Sequence, residues 1–427
     1  MGASSAAMSA AAARYGQIDG ANNWDSTVTN REMLVAESGT ISFLRVDVLT
    51  APGAGKSLTF ALMLNGVAQA LTCAITESAT SAEDVTHTVA VTAGDRLALR
   101  CTPAGTPTTS LARWSTQYEP TAAGVAVWGT TSDQALSTVA TRYNAIGADG
   151  LQAWNATETT VSQVWATACT ITSLYVFLSA NVGSGGDTFT FRIVVNGTPN
   201  AGSALALVDA AESGNVTGIS VAIAPGDLVS IECVPTGTPQ AVAAKWAVGY
   251  APSVNGQFNV SSGNTLTPTA NGFNYLQSQA TIVDATENNR IMVPGAAAGA
   301  VAVRVLAMYM ACVVAPGVGT SRSATLRKNG ADTSFALTVS GTNTQDSKQG
   351  SVTIDNGDDF VYQFNALVGA PAASGVKFAL RLGPPGGVGP PGGGGKPHKP
   401  PHRPPPGGGG SLLGPVLKKL RFPEKVI

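Results

Sequence analysis

Histidine is nearly missing from this chain: there are three in 427 residues, and only His87 precedes the Gly/Pro-rich end. A Ser-His-Asp triad would need that imidazole, and no nucleophile motif points to it. His398 and His402 are four apart in Lys396-Pro397-His398-Lys399-Pro400-Pro401-His402-Arg403, where proline forbids the helix that would aim both at one metal. Charge is scarce too: Asp, Glu, Lys and Arg make up 12% of the chain, against about a quarter in ordinary soluble domains. Ala, Gly, Ser, Thr and Val fill their places, and surfaces of such small side chains lose little entropy when another protein covers them. The five cysteines, Cys73, Cys101, Cys169, Cys233 and Cys312, are odd in number and only Cys101 and Cys233 are repeat equivalents, so free buried thiols are expected rather than bridges. No apolar run approaches the roughly 20 residues of a membrane-spanning helix. Met1 to Ala13 lacks the basic and apolar regions of a secretory signal.

What the chain does have is repetition. Arg113-Trp114, Lys245-Trp246 and Lys377-Phe378 recur 132 residues apart, as do Gly105-Thr106-Pro107, Gly237-Thr238-Pro239 and Gly369-Ala370-Pro371. Each copy also carries an Asn-Gly pair (Asn65-Gly66, Asn196-Gly197, Asn329-Gly330) and a Gly-Asp pair (Gly94-Asp95, Gly226-Asp227, Gly357-Asp358). A period this long is a whole domain, since solenoid and propeller units run to roughly 20 to 50 residues. The expected divisions are 1–120, 121–252 and 253–382, followed by a Gly/Pro-rich linker, 383–410, and a terminal peptide, 411–427.

Within a copy, Thr40 to Leu49 alternates apolar and polar and is rich in β-branched residues, the mark of a half-buried strand. Leu58 to Leu64 then runs into Asn65-Gly66, a strong hairpin signal. No helical period extends over 12 residues or more. With roughly eight short strands per copy, the expected fold is all-β: three tandem antiparallel β-sandwiches of jelly-roll-like type.

The other candidates for chemistry are weak. Gly53-Ala54-Gly55-Lys56-Ser57 looks like the end of a phosphate loop, but Thr50 stands where the first Gly belongs and a strand follows. Glu83-Asp84 and Asp355, Asp358 and Asp359 are expected to be solvated turn acids. Asp355-Asn356-Gly357-Asp358-Asp359 lacks the bidentate Glu of a calcium loop. Trp114, Trp246 and Phe378 could be read as sugar platforms, but their recurrence in all copies favours repeat packing. No catalytic, cofactor or metal residue is assigned.

The net charge of −1 divides unevenly. Seven Lys and Arg lie between Lys396 and Lys425 with Glu424 as the one acid, so the tail is +6 and the remainder −7. Leu412, Leu413, Val416, Leu417 and Leu420 fall near one helical face, with Lys418, Lys419, Arg421 and Phe422 among them. An apolar, basic peptide on a flexible tether reads as a docking tail. Basic charge confined to such a segment does not fit specific nucleic-acid recognition.

With strand, Asn-Gly, strand, Gly-Asp, strand, Gly-Thr-Pro and Arg-Trp in that order, the copies resemble the tandem β-sandwich modules of tailed-bacteriophage virion proteins, of the capsid-decoration and head- or tail-fibre type. The resemblance covers about residues 14 to 382 and transfers no functional residue. It implies a non-enzymatic structural protein, made in the host cytoplasm and carried on the virion surface, that decorates or cements a particle through its basic tail. The implied partners are major capsid or tail proteins of the same particle, with no membrane and no cofactor. Copy number prompts a further expectation, a pseudo-three-fold arrangement of the repeats. The alternatives are a fibre or adhesin whose loops bind host glycans, and a polysaccharide depolymerase, for which no carboxylate pair stands out.

Overall fold

Two-residue hairpins favour the turn whose twist matches that of the flanking strands, and that turn needs positive φ at both central residues. Each Asn-Gly pair supplies it: φ is 50° and 80° at Asn65-Gly66, 50° and 77° at Asn196-Gly197, and 50° and 74° at Asn329-Gly330. Around these hairpins the computed structural model describes residues 1–122, 126–147, 153–262, 272–274, 287, 301–355, 357–365, 368–369 and 375–384. The linker beyond 384 and the whole terminal peptide lie outside the described residues.

The first sandwich has eight main strands: β1 (Gly2–Ser4), β2 (Arg14–Gly16), β3 (Gly39–Val48), β4 (Gly53–Leu64), β5 (Val67–Glu77), β6 (Ser81–Val91), β7 (Arg96–Ala104) and β8 (Ala112–Pro120). The second has β9 (Ala126–Ala135), β10 (Arg142–Ala145), a one-turn helix α1 (Glu158–Val161), β11 (Cys169–Leu178), β12 (Thr188–Val195), β13 (Leu205–Val208), β14 (Ser213–Ile223), β15 (Leu228–Thr236) and β16 (Ala243–Pro252). The third has β17 (Phe258–Ser262), β18 (Phe273–Asn274), β19 (Val301–Cys312), β20 (Gly317–Lys328), β21 (Ala331–Gly341), β22 (Gln345–Asp355), β23 (Phe360–Phe364) and β24 (Val376–Gly383).

The strand order is the same each time. One sheet runs β1-β8-β3-β6, β9-β16-β11-β14 or β17-β24-β19-β22; the other runs β2-β7-β4-β5, β10-β15-β12-β13 or β18-β23-β20-β21. Main-strand pairs are antiparallel, and this interleaving of two sheets is the jelly-roll topology. The third strand of each sandwich skips one residue in its pairing, at Phe43, Thr172 and Leu306, a β-bulge that bends all three alike. The sequence expectation of an all-β, multi-sandwich fold is met.

Each sandwich closes on its own apolar cluster. Leu44, Val46, Phe60, Leu62, Leu99 and Trp114 build the first, Ile171, Phe189, Phe191, Ile231 and Trp246 the second, and Met308, Leu326, Phe335, Phe360 and Phe378 the third. All five cysteines are free and buried in these layers. Burial pushes the thiols of Cys73, Cys101 and Cys169 up to about 12, so they pack as small hydrophobes.

The Gly-Thr-Pro landmark marks a close approach of two loops. A Cβ at Gly105 would stand 2.8 Å from the Gly55 carbonyl oxygen, and one at Gly237 would stand 2.4 Å from Asp187 Oδ1. Only glycine fits there. Glu83-Asp84, expected in a loop, lies within strand β6. Asp84 is nearly buried because its carboxylate accepts the backbone N–H groups of Thr72, at 2.9 Å on edge strand β5, and of Thr86 and His87. His87 Nδ1 lies 2.9 Å from the same carboxylate. Burial opposes the charge, but these hydrogen bonds hold Asp84 far below the usual carboxylate range.

Candidate functional site: the seams between the sandwiches

Alternation along a strand sends neighbouring side chains to opposite faces, so the recurrent cation and aromatic have different destinations. Trp114, Trp246 and Phe378 point inward and are 1%, 0% and 1% exposed. The Trp246 indole donates to the carbonyl oxygens of Ala145 and Ile146 at 3.1 and 3.0 Å, and the Trp114 indole donates to Gln17 and Ile18. These rings have no free face for a sugar. The residues one step earlier, Arg113, Lys245 and Lys377, point outward, into seams with a neighbouring sandwich.

The Asn-Gly and Gly-Asp landmarks meet at the end of each sandwich that enters a seam. Asn65 Nδ2 donates to Asp95 Oδ1 at 2.8 Å, Asn196 to Asp227 at 2.8 Å, and Asn329 to Asp358 at 2.6 Å. The Asn carbonyl oxygens accept the N–H groups of Arg96, Leu228 and Asp359, and Oδ2 of each Asp accepts the N–H of Thr92, Ala224 or Asp355 at 2.7 Å. The result is one clasp built three times, joining two turns about 30 residues apart in sequence. In the third copy Lys328 Nζ adds a 2.5 Å contact to Asp358, so this acid of the Asp355-Asn356-Gly357-Asp358-Asp359 run is held by a lysine and an asparagine. Burial works against ionisation of Asp358, but Lys328 and the clasp keep its pKa below the ordinary value.

The residue after each clasp aspartate faces the next sandwich. In the seam of sandwiches one and two, the short strand Met33–Leu34 lies against β9, β16 and β11, and Leu34 and Ala36 pack with Ala247, Tyr175 and Phe177. The Arg96 guanidinium lies 4.6 Å and Lys245 Nζ 5.5 Å from the Phe177 ring centroid. Burial lowers the pKa of Lys245; Glu32, which holds Arg96 Nε at 3.0 Å, works the other way.

In the seam of sandwiches two and three, strand Gln163–Val164 occupies the matching place against β17, β24 and β19, and Val164 and Ala166 pack with Ala311 and Ala379. Ala166 N donates to Asn259 Oδ1 at 2.7 Å, and Ser261 Oγ donates to the Val164 carbonyl. Lys377, 1% exposed, donates to Thr159 O at 2.7 Å and to Ser162 Oγ at 2.6 Å at the end of α1. Burial brings its pKa down to about 8, with Glu158 acting in the opposite sense.

The seam of sandwiches three and one uses the same positions. A Cβ at Gly357 would stand 3.9 Å from the Arg45 guanidinium. Burial raises the Asp359 pKa, and the charge of Arg113 pulls it back. Ala3, on the outer side of β1, is buried with Val260 in the third core. Elements of all three sandwiches meet at Tyr250, whose hydroxyl accepts Asn259 N at 3.0 Å and feels the charge of Asp19. Asp19 in turn receives the Met1 ammonium at 3.4 Å.

Of the residues singled out from sequence, the structure brings the three aromatics into three cores and leaves the tail set, Leu412, Leu413, Val416, Leu417, Lys418, Lys419, Leu420, Arg421 and Phe422, outside the described residues. Sequence reasoning missed the seam role of Arg113, Lys245 and Lys377. The signal was present, since a charged residue recurring next to a core aromatic implies an outward face that is in use. Among the described residues, no group of three or more His, Cys, Asp or Glu is placed to hold a metal ion. Compared with known proteins, the chain matches no family model and no curated sequence.

Proposed function

We propose that this chain is a non-enzymatic structural protein of a phage particle, which decorates or cements the particle surface and attaches through its basic C-terminal tail. The observation that carries the reading is the reuse of the same repeat positions in each of three seams. Every sandwich presents its clasp end to one neighbour and the cation-bearing sheet to the other. A single chain thereby supplies a pseudo-three-fold body of the kind that three separate jelly-roll subunits would otherwise assemble. A partner with a local three-fold surface, such as a shell of capsid subunits, matches that geometry. The −7 body and +6 tail divide the labour between an acidic covering and a basic attachment. The glycan-binding alternative loses its aromatic candidates to the cores.

Deleting residues 383–427 tests the attachment. The truncated body should fold, with unchanged strand content, and should be missing from purified particles when their protein composition is measured. Full occupancy by the truncated chain would sink the tail's role. Small-angle scattering of the same body tests the ring, whose radius of gyration lies well below that of a string of three sandwiches.

A further inference from the structure

The three seams differ in what faces the recurrent cation. Arg113 lies near Asp359, and Lys245 shares its seam with Phe177, Arg96 and Glu32, the last of which pairs with Arg96. In the seam of sandwiches two and three the position matching Asp359 is Leu228, and among the described residues no carboxylate lies within ion-pair distance of Lys377 Nζ. Glu158 is close enough to influence Lys377 electrostatically, but its Oε1 accepts Ser230 Oγ at 2.8 Å. Two of the three ammonium protons have acceptors in Thr159 O and Ser162 Oγ. A buried cation without a counter-charge is costly, and a protein relieves that cost by pairing it.

Beside Lys377 is a cleft of about 150 Å³ between sandwiches two and three. Its polar lining comes from Lys377, Thr159, Thr344 and Gln345, and its apolar wall from Leu228 and Ala311. Gln345 also bridges the seam, donating to the Gly226 carbonyl at 3.4 Å. The space is large enough for a molecule of a few heavy atoms, between a lysine on one side and a leucine on another.

We propose that this cleft binds a small carboxylate with a short apolar tail, which pairs there with the buried Lys377 ammonium. Bound there, the anion would tie β24 of the third sandwich to α1 and Leu228 of the second. The site goes beyond the structural role proposed above and does not depend on it. The charged groups around the cleft define its pH response. Lys377 carries its proton below about 8. Glu158 on α1 disfavours a second anion, while Cys312 on β19, its thiol pushed up to about 11 by burial, stays neutral.

Calorimetric titration of the full chain with sodium propionate at pH 7, with sodium chloride holding the ionic strength constant, is the direct test. Saturable binding at one site is expected. Lys377→Met should weaken it at least about tenfold, the worth of one charge-assisted hydrogen bond. Leu228→Asp places a carboxylate where the seam of sandwiches three and one has Asp359 and should abolish the response while keeping the fold, so the idea remains testable if the lysine variant folds poorly. Affinity should fall as pH rises through about 8. No saturable binding to the wild-type chain, or affinity unchanged in both variants, would overturn the proposal.

Discussion

Adjacent residues on the last strand of each sandwich lead opposite lives. Position 114/246/378 carries Trp, Trp and Phe, each in its core, whereas position 113/245/377 carries Arg, Lys and Lys, each in a different electrostatic setting. The inner residue enters an apolar, aromatic-lined core three times, because strand order, bulge and hairpin are repeated. The outer one meets whatever the neighbouring sandwich offers: Arg96 with Glu32 in one seam, a backbone carbonyl and a serine in another, Asp359 in the third. Fusion into one chain permits this, since each copy can adapt to its own neighbour. A homotrimer would have to use one solution for all three seams.

The comparison is broken most severely from the inside. Trp246→Ala removes a fully buried ring and leaves its space empty, which should cost about 3–5 kcal/mol in denaturant unfolding. Phe378→Ala should cost a similar amount, because Phe378 stacks on Tyr362 at 4.4 Å between ring centroids. If Trp246→Ala costs less than Lys245→Met, the division into core and seam positions is wrong.

From the outside, Lys377 should show itself through pH. Its pKa in the fold is about 8, against 10.5 for a free lysine, so between those values the unfolded chain holds the proton that the folded chain has lost. Stability therefore rises with pH across that window and is lowest below it. The full excursion is on the order of 3 kcal/mol, from the size of the shift. Lys377→Met should flatten the rise, as read from denaturation midpoints at pH 7 and pH 9.5. A rise that persists in the variant would assign the effect to another group.

The difference between core and seam also governs what could be read in advance. Alternation over Thr40 to Leu49 and the Asn-Gly signal are local, and both strands and hairpins followed from them. The eight-strand count followed from the spacing of turn residues. Asp84 did not, because acids suggest loops, and the amide of Thr72 on edge strand β5, with those of Thr86 and His87, explains a carboxylate inside β6. The clasps and seams also escaped, since they join residues distant in sequence, such as Asn196 with Asp227 and Lys377 with Thr159. Recurrence marked these positions as important without saying what they touch.

The clasps give the smallest effects and test whether the copies are equivalent at all. Asp227→Ala leaves the Ala224 and Asn196 donors to water at a partly exposed turn, so the expected loss is about 1–2 kcal/mol. Asn196→Ala should cost a similar amount, and the double variant less than the sum, since both residues serve one hydrogen-bonded unit. In the third copy Asp358→Ala also deprives Lys328 of its 2.5 Å partner, and the loss should be larger than at Asp227. Asp358 should further give an acid-side signature. Its pKa is depressed in the fold, so its contribution is present above the unfolded carboxylate value and is lost as pH falls through the folded one. Denaturation midpoints of the two variants at pH 7 and pH 3 would separate the lysine-supported clasp from the simple one. A loss at Asp358 no larger than that at Asp227 at pH 7 would mean that Lys328 adds nothing to the third clasp.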